Sequence, residues 1–187
     1  DNCGVCAGDG STCLCIQDTT INNTTFCKTD IDILQQFINN SSRFGSNQDH
    51  SLNLDLDDNE NGLIEVLELG TIEWSIDGQN RIEYWNCENC GLMGKIPLDI
   101  NKLQYLRYLN ISNNNLNGEI PSNLGEMINL EVMDLSGNYF SQLPFSIVEK
   151  LEKIAPNTSS LIDYVEENLG QNSLCIPLTK VMKEKLG

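Results

Sequence analysis

Between positions 82 and 144 the apolar residues recur every twenty-four residues. Ile82, Leu106 and Leu130 share one slot; Trp85, Leu109 and Met133 share a second. Cys87, Ile111 and Leu135 fill a third, and Leu92, Leu116 and Phe140 a fourth. Pro97, Pro121 and Pro144 close the units, the last one residue early. A period of this length indicates one supersecondary unit copied and stacked, because a single unit cannot bury its own apolar face. Inside each unit the pattern alternates. In Leu106-Arg107-Tyr108-Leu109-Asn110-Ile111, Leu109 and Ile111 point in while Asn110 points out, which predicts a strand with one buried face.

Three residues past each predicted strand the chain turns, at Asn114 and Asn138. A buried Asn there can bond the backbone groups that a turn leaves unpaired in its own and the neighbouring coil. The first copy puts Cys90 in that slot, a small side chain without the amide. The units continue with Leu92-Met93-Gly94-Lys95-Ile96-Pro97 and Leu116-Asn117-Gly118-Glu119-Ile120-Pro121.

Together these runs read L-x-x-L-x-L-x-x-N-x-L-x-G-x-I-P, and over about a third of the chain the sequence resembles the plant-type leucine-rich repeat. The resemblance implies an α/β solenoid with a parallel sheet on its concave face. Members of that family bind partners through the outward strand positions. Here those are Glu83, Tyr84, Asn86 and Glu88; Arg107, Tyr108, Asn110 and Ser112; and Glu131, Val132, Asp134 and Ser136. A plain solvated sheet face is the competing reading. The third copy, Phe140-Ser141-Gln142-Leu143-Pro144, drops a residue and lacks the glycine, so the solenoid is expected to end there.

Four regions follow: a cysteine-rich segment 1–27, an N-terminal cap 28–81, the repeats 82–144 and a helical C-terminal cap 145–187. The first is D-N-C-G-V-C-A-G-D-G-S-T-C-L-C up to Cys15 and has little to bury, so disulfides must hold it. It resembles cysteine-rich segments of secreted multidomain proteins. Cys3-x-x-Cys6 also has a zinc-like spacing, but a secreted context favours bridges. A helix is predicted over 29–40, capped by Thr29 or Asp30, with Ile31, Leu34, Phe37 and Ile38 on one face. It resembles the N-terminal cap of plant-type repeat proteins, which shields the apolar end of the first coil. Residues 74–81 read as a turn with Asp77-Gly78 at its tip. Beyond Pro144, helices are predicted over 145–154, 159–168 and 177–185.

Residues 57–68 fit D-x-[DN]-x-[DN]-G-x5-E, the EF-hand calcium loop. A hard cation takes six to eight oxygens. Asp57, Asn59 and Asn61 would supply side-chain oxygens, Leu63 its carbonyl, Glu65 a direct or water-borne contact and Glu68 both carboxylate oxygens. The alternative is a solvated acidic loop followed by a strand, since 64–69 also mimics L-x-x-L-x-L as a degenerate zeroth coil.

The net charge of −16 argues against nucleic acid or an anionic membrane as partner, and no apolar run is long enough to insert in a bilayer. The chain begins at Asp1 without methionine or signal peptide, which suggests a processed product or a piece of something longer. Its eight cysteines point to an oxidising compartment: Cys3, Cys6, Cys13, Cys15, Cys27, Cys87, Cys90 and Cys175. Sequons at Asn22, Asn23, Asn39, Asn40, Asn110 and Asn157 agree, so N-linked glycans and an extracellular or cell-surface location are expected. Cys87 and Cys90 are either buried thiols or a pair to themselves. Cys175 should not reach them across coils stacked about 5 Å apart, so it and one N-terminal cysteine are expected to be free or to bridge other chains.

Catalysis is not expected: the only histidine, His50, lies in a polar loop and no nucleophile–base pair suggests itself. Two functions are weighed, the first adopted and the second kept as its alternative. One is a non-catalytic structural glycoprotein module, self-associating or contacting another extracellular protein, possible in a filament because head-to-tail contacts between unlike ends need not close. The other is a ligand-recognition ectodomain of a receptor or inhibitor, binding a protein or a glycan. A glycan on Asn110 would sit in the middle of the face that such a ligand uses.

Overall fold

The computed structural model describes residues 18–41, 52, 56–58, 60, 63–154, 170 and 172. The cysteines at 3, 6, 13, 15 and 175, the sequon at Asn157, Asn59 and Asn61 of the acidic loop, and the helices expected over 159–168 and 177–185 lie outside them.

The described chain opens with a hairpin, β1 (Asp18–Ile21) and β2 (Thr24–Cys27), joined by Asn22 and Asn23. Both turn residues have positive φ, 50° and 65°, the geometry of a type I′ turn that asparagine tolerates. The helix α1 (Lys28–Ser41) follows. Its expected face is buried, Ile31, Leu34, Phe37 and Ile38 together with Ile33. Asp30 does not cap the helix. Its carboxylate is fully buried and accepts from Arg81 Nε and a terminal guanidinium nitrogen at 3.0 and 2.9 Å, and from the Ile82 amide at 2.9 Å. Burial raises its pKa, opposed by the Arg81 hydrogen bond, the Arg81 charge and the Ile82 amide.

Next come a 3-10 turn at Val66–Glu68, β3 (Thr71–Trp74), and β4 (Ile82–Asn86), which pairs antiparallel to β3 across the 74–81 turn. The zeroth coil imagined at 64–69 is therefore not a repeat strand. β3 instead flanks the first coil, because its Ile72 and Trp74 are the apolar members of an alternating run.

β4, β6 (Tyr108–Asn110) and β8 (Val132–Asp134) pair in parallel, giving a sheet in the order β3-β4-β6-β8. Register steps by twenty-four: Tyr84 opposite Tyr108 opposite Val132. A second parallel sheet is formed by β5 (Met93–Gly94), β7 (Asn115–Glu119) and β9 (Tyr139–Gln142). Gly94 and Gly118, the glycines of L-x-G-x-I-P, sit at φ +83° and +80°, which explains the residue in that slot. The helix α2 (Phe145–Ile154) is the last regular element among the described residues. All twelve repeat-slot residues named above are buried, each 2% exposed or less.

The turn asparagines tie the coils together. Asn114 Oδ1 accepts from Leu92 N, and its Nδ2 donates to the carbonyls of Cys87, Ile111 and Ser112. Asn138 repeats this one coil on, accepting from Leu116 N and donating to Ile111, Leu135 and Ser136. In the first coil a Cys87–Cys90 disulfide bridges the positions that Ile111–Asn114 and Leu135–Asn138 connect by hydrogen bonds. Cys27 is also disulfide-bonded.

The ladder does not stop at the shortened third copy. Asn172 Oδ1 accepts from Phe140 N, and its Nδ2 donates to Leu135 O and Gly170 O. Gly137 N donates to Gly170 O, the bond that Asn113 N makes to Ser136 O and Asn89 N to Ser112 O. Asn172 thus takes the ladder position thirty-four residues after Asn138, with ten residues added to the period. Asn172→Ala should destabilise the chain about as much as Asn138→Ala, roughly 1–3 kcal/mol for the buried amide each leaves unpaired. Urea unfolding of both variants checks this, and a neutral Asn172→Ala would contradict it.

Candidate functional site

The strands put one face of the β3-β4-β6-β8 sheet into the core and leave the other outside. Three rows of side chains cross that outer face. The central row is Glu73, Tyr84, Tyr108 and Val132, opposite one another in register. The rings of Tyr84 and Tyr108 stack, 4.3 Å between centroids and 11° from parallel. Burial raises the Tyr108 pKa, with the Tyr84 charge and hydrogen bond adding to it, so its phenol stays protonated. Val132 is 37% exposed beside it.

The row on one side is Glu83, Arg107 and Glu131, aligned by the bonds Arg107 N to Glu83 O and Glu131 N to Arg107 O. Arg107 and Glu131 form a forked pair at 2.9–3.2 Å, with both side chains about 60% exposed, so it contributes little to stability.

The row on the other side is Asn86, Asn110 and Asp134. Each closes its own strand end. Asn86 accepts from Glu88 N, Asn110 from Ser112 N and Asp134 from Ser136 N and Oγ. These three side chains, expected to contact a ligand, spend their oxygens on the turns. Asn110 is only 6% exposed and Ser112 2%. Beyond them, Glu88 accepts from Asn113 Nδ2.

Glu73 was not among the expected site residues. The signal was available: Thr71-Ile72-Glu73-Trp74 alternates, and a strand there pairs with β4 only if 76–79 forms a tight hairpin turn.

The acidic loop adjoins one end of this face, where Asp58 and Glu68 line a pocket together with Asn86 and Glu88. Glu65 and Glu68 are joined at the backbone, Glu65 N donating to Glu68 Oε2 at 3.0 Å. Burial raises the Glu68 pKa, and the Glu65 carboxyl and the Asp57 charge raise it further, against the Glu65 backbone hydrogen bond that lowers it. Ile64 is buried and Leu63 half-buried. Among the described residues no group of three or more His, Cys, Asp or Glu is arranged to hold a metal ion. The sequons separate as well. Asn22, Asn23, Asn39 and Asn40 are exposed, although Asn40 Nδ2 donates to Lys95 O.

The family model described as Leucine Rich Repeat matches residues 105–127 and 129–151. The chain carries leucine-rich repeats. The match omits the first repeat, where Trp85, Cys87 and Cys90 stand in the slots that Leu109, Ile111 and Asn114 fill in the second. No curated protein matches the chain. Similar solved structures include the LRR ectodomain of the Arabidopsis receptor kinase HAESA in complex with a peptide hormone ligand, at 30% identity, 58% of this chain, 16% of that one and TM-score 0.40. The LRR ectodomain of the receptor kinase SOBIR1 from Arabidopsis thaliana is 21% identical over 67% of this chain and 62% of that one, with TM-score 0.43. The BIR3–SERK2 complex from Arabidopsis thaliana gives 31% identity over 35% of this chain and 36% of its counterpart, TM-score 0.34. The chain thus spans less than two thirds of each.

Asn110 is nearly buried and its amide oxygen is engaged by Ser112 N, an arrangement a sugar on its nitrogen would disturb. Peptide mapping after enzymatic deglycosylation in heavy-oxygen water should show Asn110 unmodified in chain secreted from a eukaryotic host. Occupancy at Asn110 in folded protein would contradict the burial seen here.

Proposed function

We propose that the protein is an extracellular recognition module of the plant repeat type, docking a protein or peptide ligand on the outer face of the β3-β4-β6-β8 sheet. The observation that carries this reading is the stacked, partly exposed Tyr84–Tyr108 pair with Val132 beside it. Tyrosine buries large area at small entropic cost and is enriched where partners dock. The buried Asn110 supports it, since it leaves that face without a bulky modification. This reading is placed ahead of the structural-subunit and filament one because the stacked tyrosines on the outer face suit a docked ligand. The hairpin with α1 would serve as N-terminal cap and α2 as the start of a C-terminal one.

Selection of a displayed random-peptide library against the full chain tests the reading. Selected peptides should lose at least about tenfold in affinity on Tyr84→Ser with Tyr108→Ser, about 1.4 kcal/mol or more. Tyr139→Ser, an exposed tyrosine on the other sheet, should leave them unchanged. Equal loss in both variants, or none in either, would overturn it.

Calcium at the acidic loop is a second, structural proposal. In the sequence Asp57, Asn59, Asn61, Leu63, Glu65 and Glu68 would supply an all-oxygen donor set suited to a hard cation, and the Glu65 amide already holds the Glu68 carboxylate. Ligands that bind only the folded state stabilise it. Calcium should therefore raise the melting temperature of the chain over that in chelator, and Glu68→Gln should remove the difference. An unchanged melting temperature in the parent chain would rule the site out.

A further inference from the structure

The charges on the docking face select among ligands, an inference that rests on the docking reading above. Five carboxylates share the face: Glu73, Glu83, Glu88, Glu131 and Asp134. One cation, Arg107, stands among them, and Glu131 holds it in the forked pair. Asp134 is engaged by Ser136 and Glu88 by Asn113. Among the described residues no ion pair reaches Glu73 or Glu83. These two border the aromatic pair. Glu73 lies directly across from Tyr84 on the neighbouring strand, and Glu83 precedes Tyr84 in the chain.

Two attractions therefore converge on one spot. Opposite charges at a partly shielded surface attract more than in bulk water. A guanidinium or ammonium group over a tyrosine ring is drawn to the ring's negative face, and its apolar stem packs on the same ring. We propose that the face takes a cationic segment of a partner protein, with an Arg or Lys side chain lying on the Tyr84–Tyr108 stack and its charge met by Glu73 and Glu83. An apolar residue of the same segment has Val132 to pack on, one strand further. The net charge of −16 adds long-range steering, which raises the association rate of cationic ligands and weakens with salt.

The test uses the full chain and three sets of short immobilised peptides sharing one aromatic-containing framework: Lys/Arg-rich, uncharged, and Asp/Glu-rich. Binding is measured on the parent chain, on Tyr84→Ser with Tyr108→Ser, on Glu73→Gln with Glu83→Gln, and on Glu119→Gln with Glu149→Gln, which remove the same charge from exposed sites on β7 and α2. The cationic set should bind in preference. It should weaken about tenfold on loss of either the tyrosines or Glu73 and Glu83, and hardly at all on loss of Glu119 and Glu149. Equal weakening by both glutamine pairs would mean general attraction to an acidic protein and overturn the proposal. Tyrosine-dependent binding of uncharged or acidic peptides would overturn it too, while leaving the docking reading in place. If no set binds in a tyrosine-dependent way, both fall.

Discussion

Each coil of this protein closes on a turn whose backbone groups face the core, and a buried amide side chain from the next coil satisfies them. Leu92 N, Leu116 N and Phe140 N donate to Asn114, Asn138 and Asn172 respectively. The carbonyls accept in turn, so no coil is hydrogen-bonded to completion by its own residues. Buried backbone groups left unpaired are costly, and this makes stacking obligatory rather than merely favourable. The apolar spine adds area to the same interface but does not fix its register; the asparagines do. Where the ladder starts, the Cys87–Cys90 disulfide takes over the local closure, while Asn114 still makes the inter-coil bonds to Cys87 O and from Leu92 N.

The ends need different solutions. At the first coil the fully buried Trp85 packs edge-on against Phe37 of α1, 4.9 Å between centroids, and donates its indole N–H to Leu69 O. The Asp30–Arg81 pair fixes where α1 meets the repeat, and Arg81 also lies 5.0 Å above the Tyr105 ring and donates to Lys102 O. Removing one member of such a buried pair strands the other charge, typically at about 3–5 kcal/mol. With backbone demands met inside and at the ends, the side chains of the outer sheet face divide in two. Asn86, Asn110 and Asp134 finish turns, and the rows through Tyr84 and Arg107 are the more exposed ones.

The repeats were legible because periodicity survives in every inward slot, and each of those residues is buried where the pattern puts it. The role of the turn asparagines was legible too, since few side chains can offer donor and acceptor to one turn. Asn172 escaped because the ladder interval lengthens from twenty-four to thirty-four there, which hides it from any fixed-period reading. Asp30 passed for a helix cap because its partner Arg81 stands fifty-one residues away, and no local pattern reports such a pairing. The hairpin at Asn22-Asn23 has a signal in the sequence, two residues tolerant of positive φ between Thr-rich runs, but these strands are too short for alternation to stand out. On the site, alternation puts Asn110 on the outer side of its strand, but the turn it closes leaves it only 6% exposed.

Native-state hydrogen exchange on the three donor amides of the ladder bears most directly on the account. If one continuous spine runs from the first coil to Asn172, the amides of Leu92, Leu116 and Phe140 should share high protection and the same dependence on denaturant. Fast exchange at Phe140, with Leu92 and Leu116 still protected, would show that the ladder ends at the third coil and contradict it.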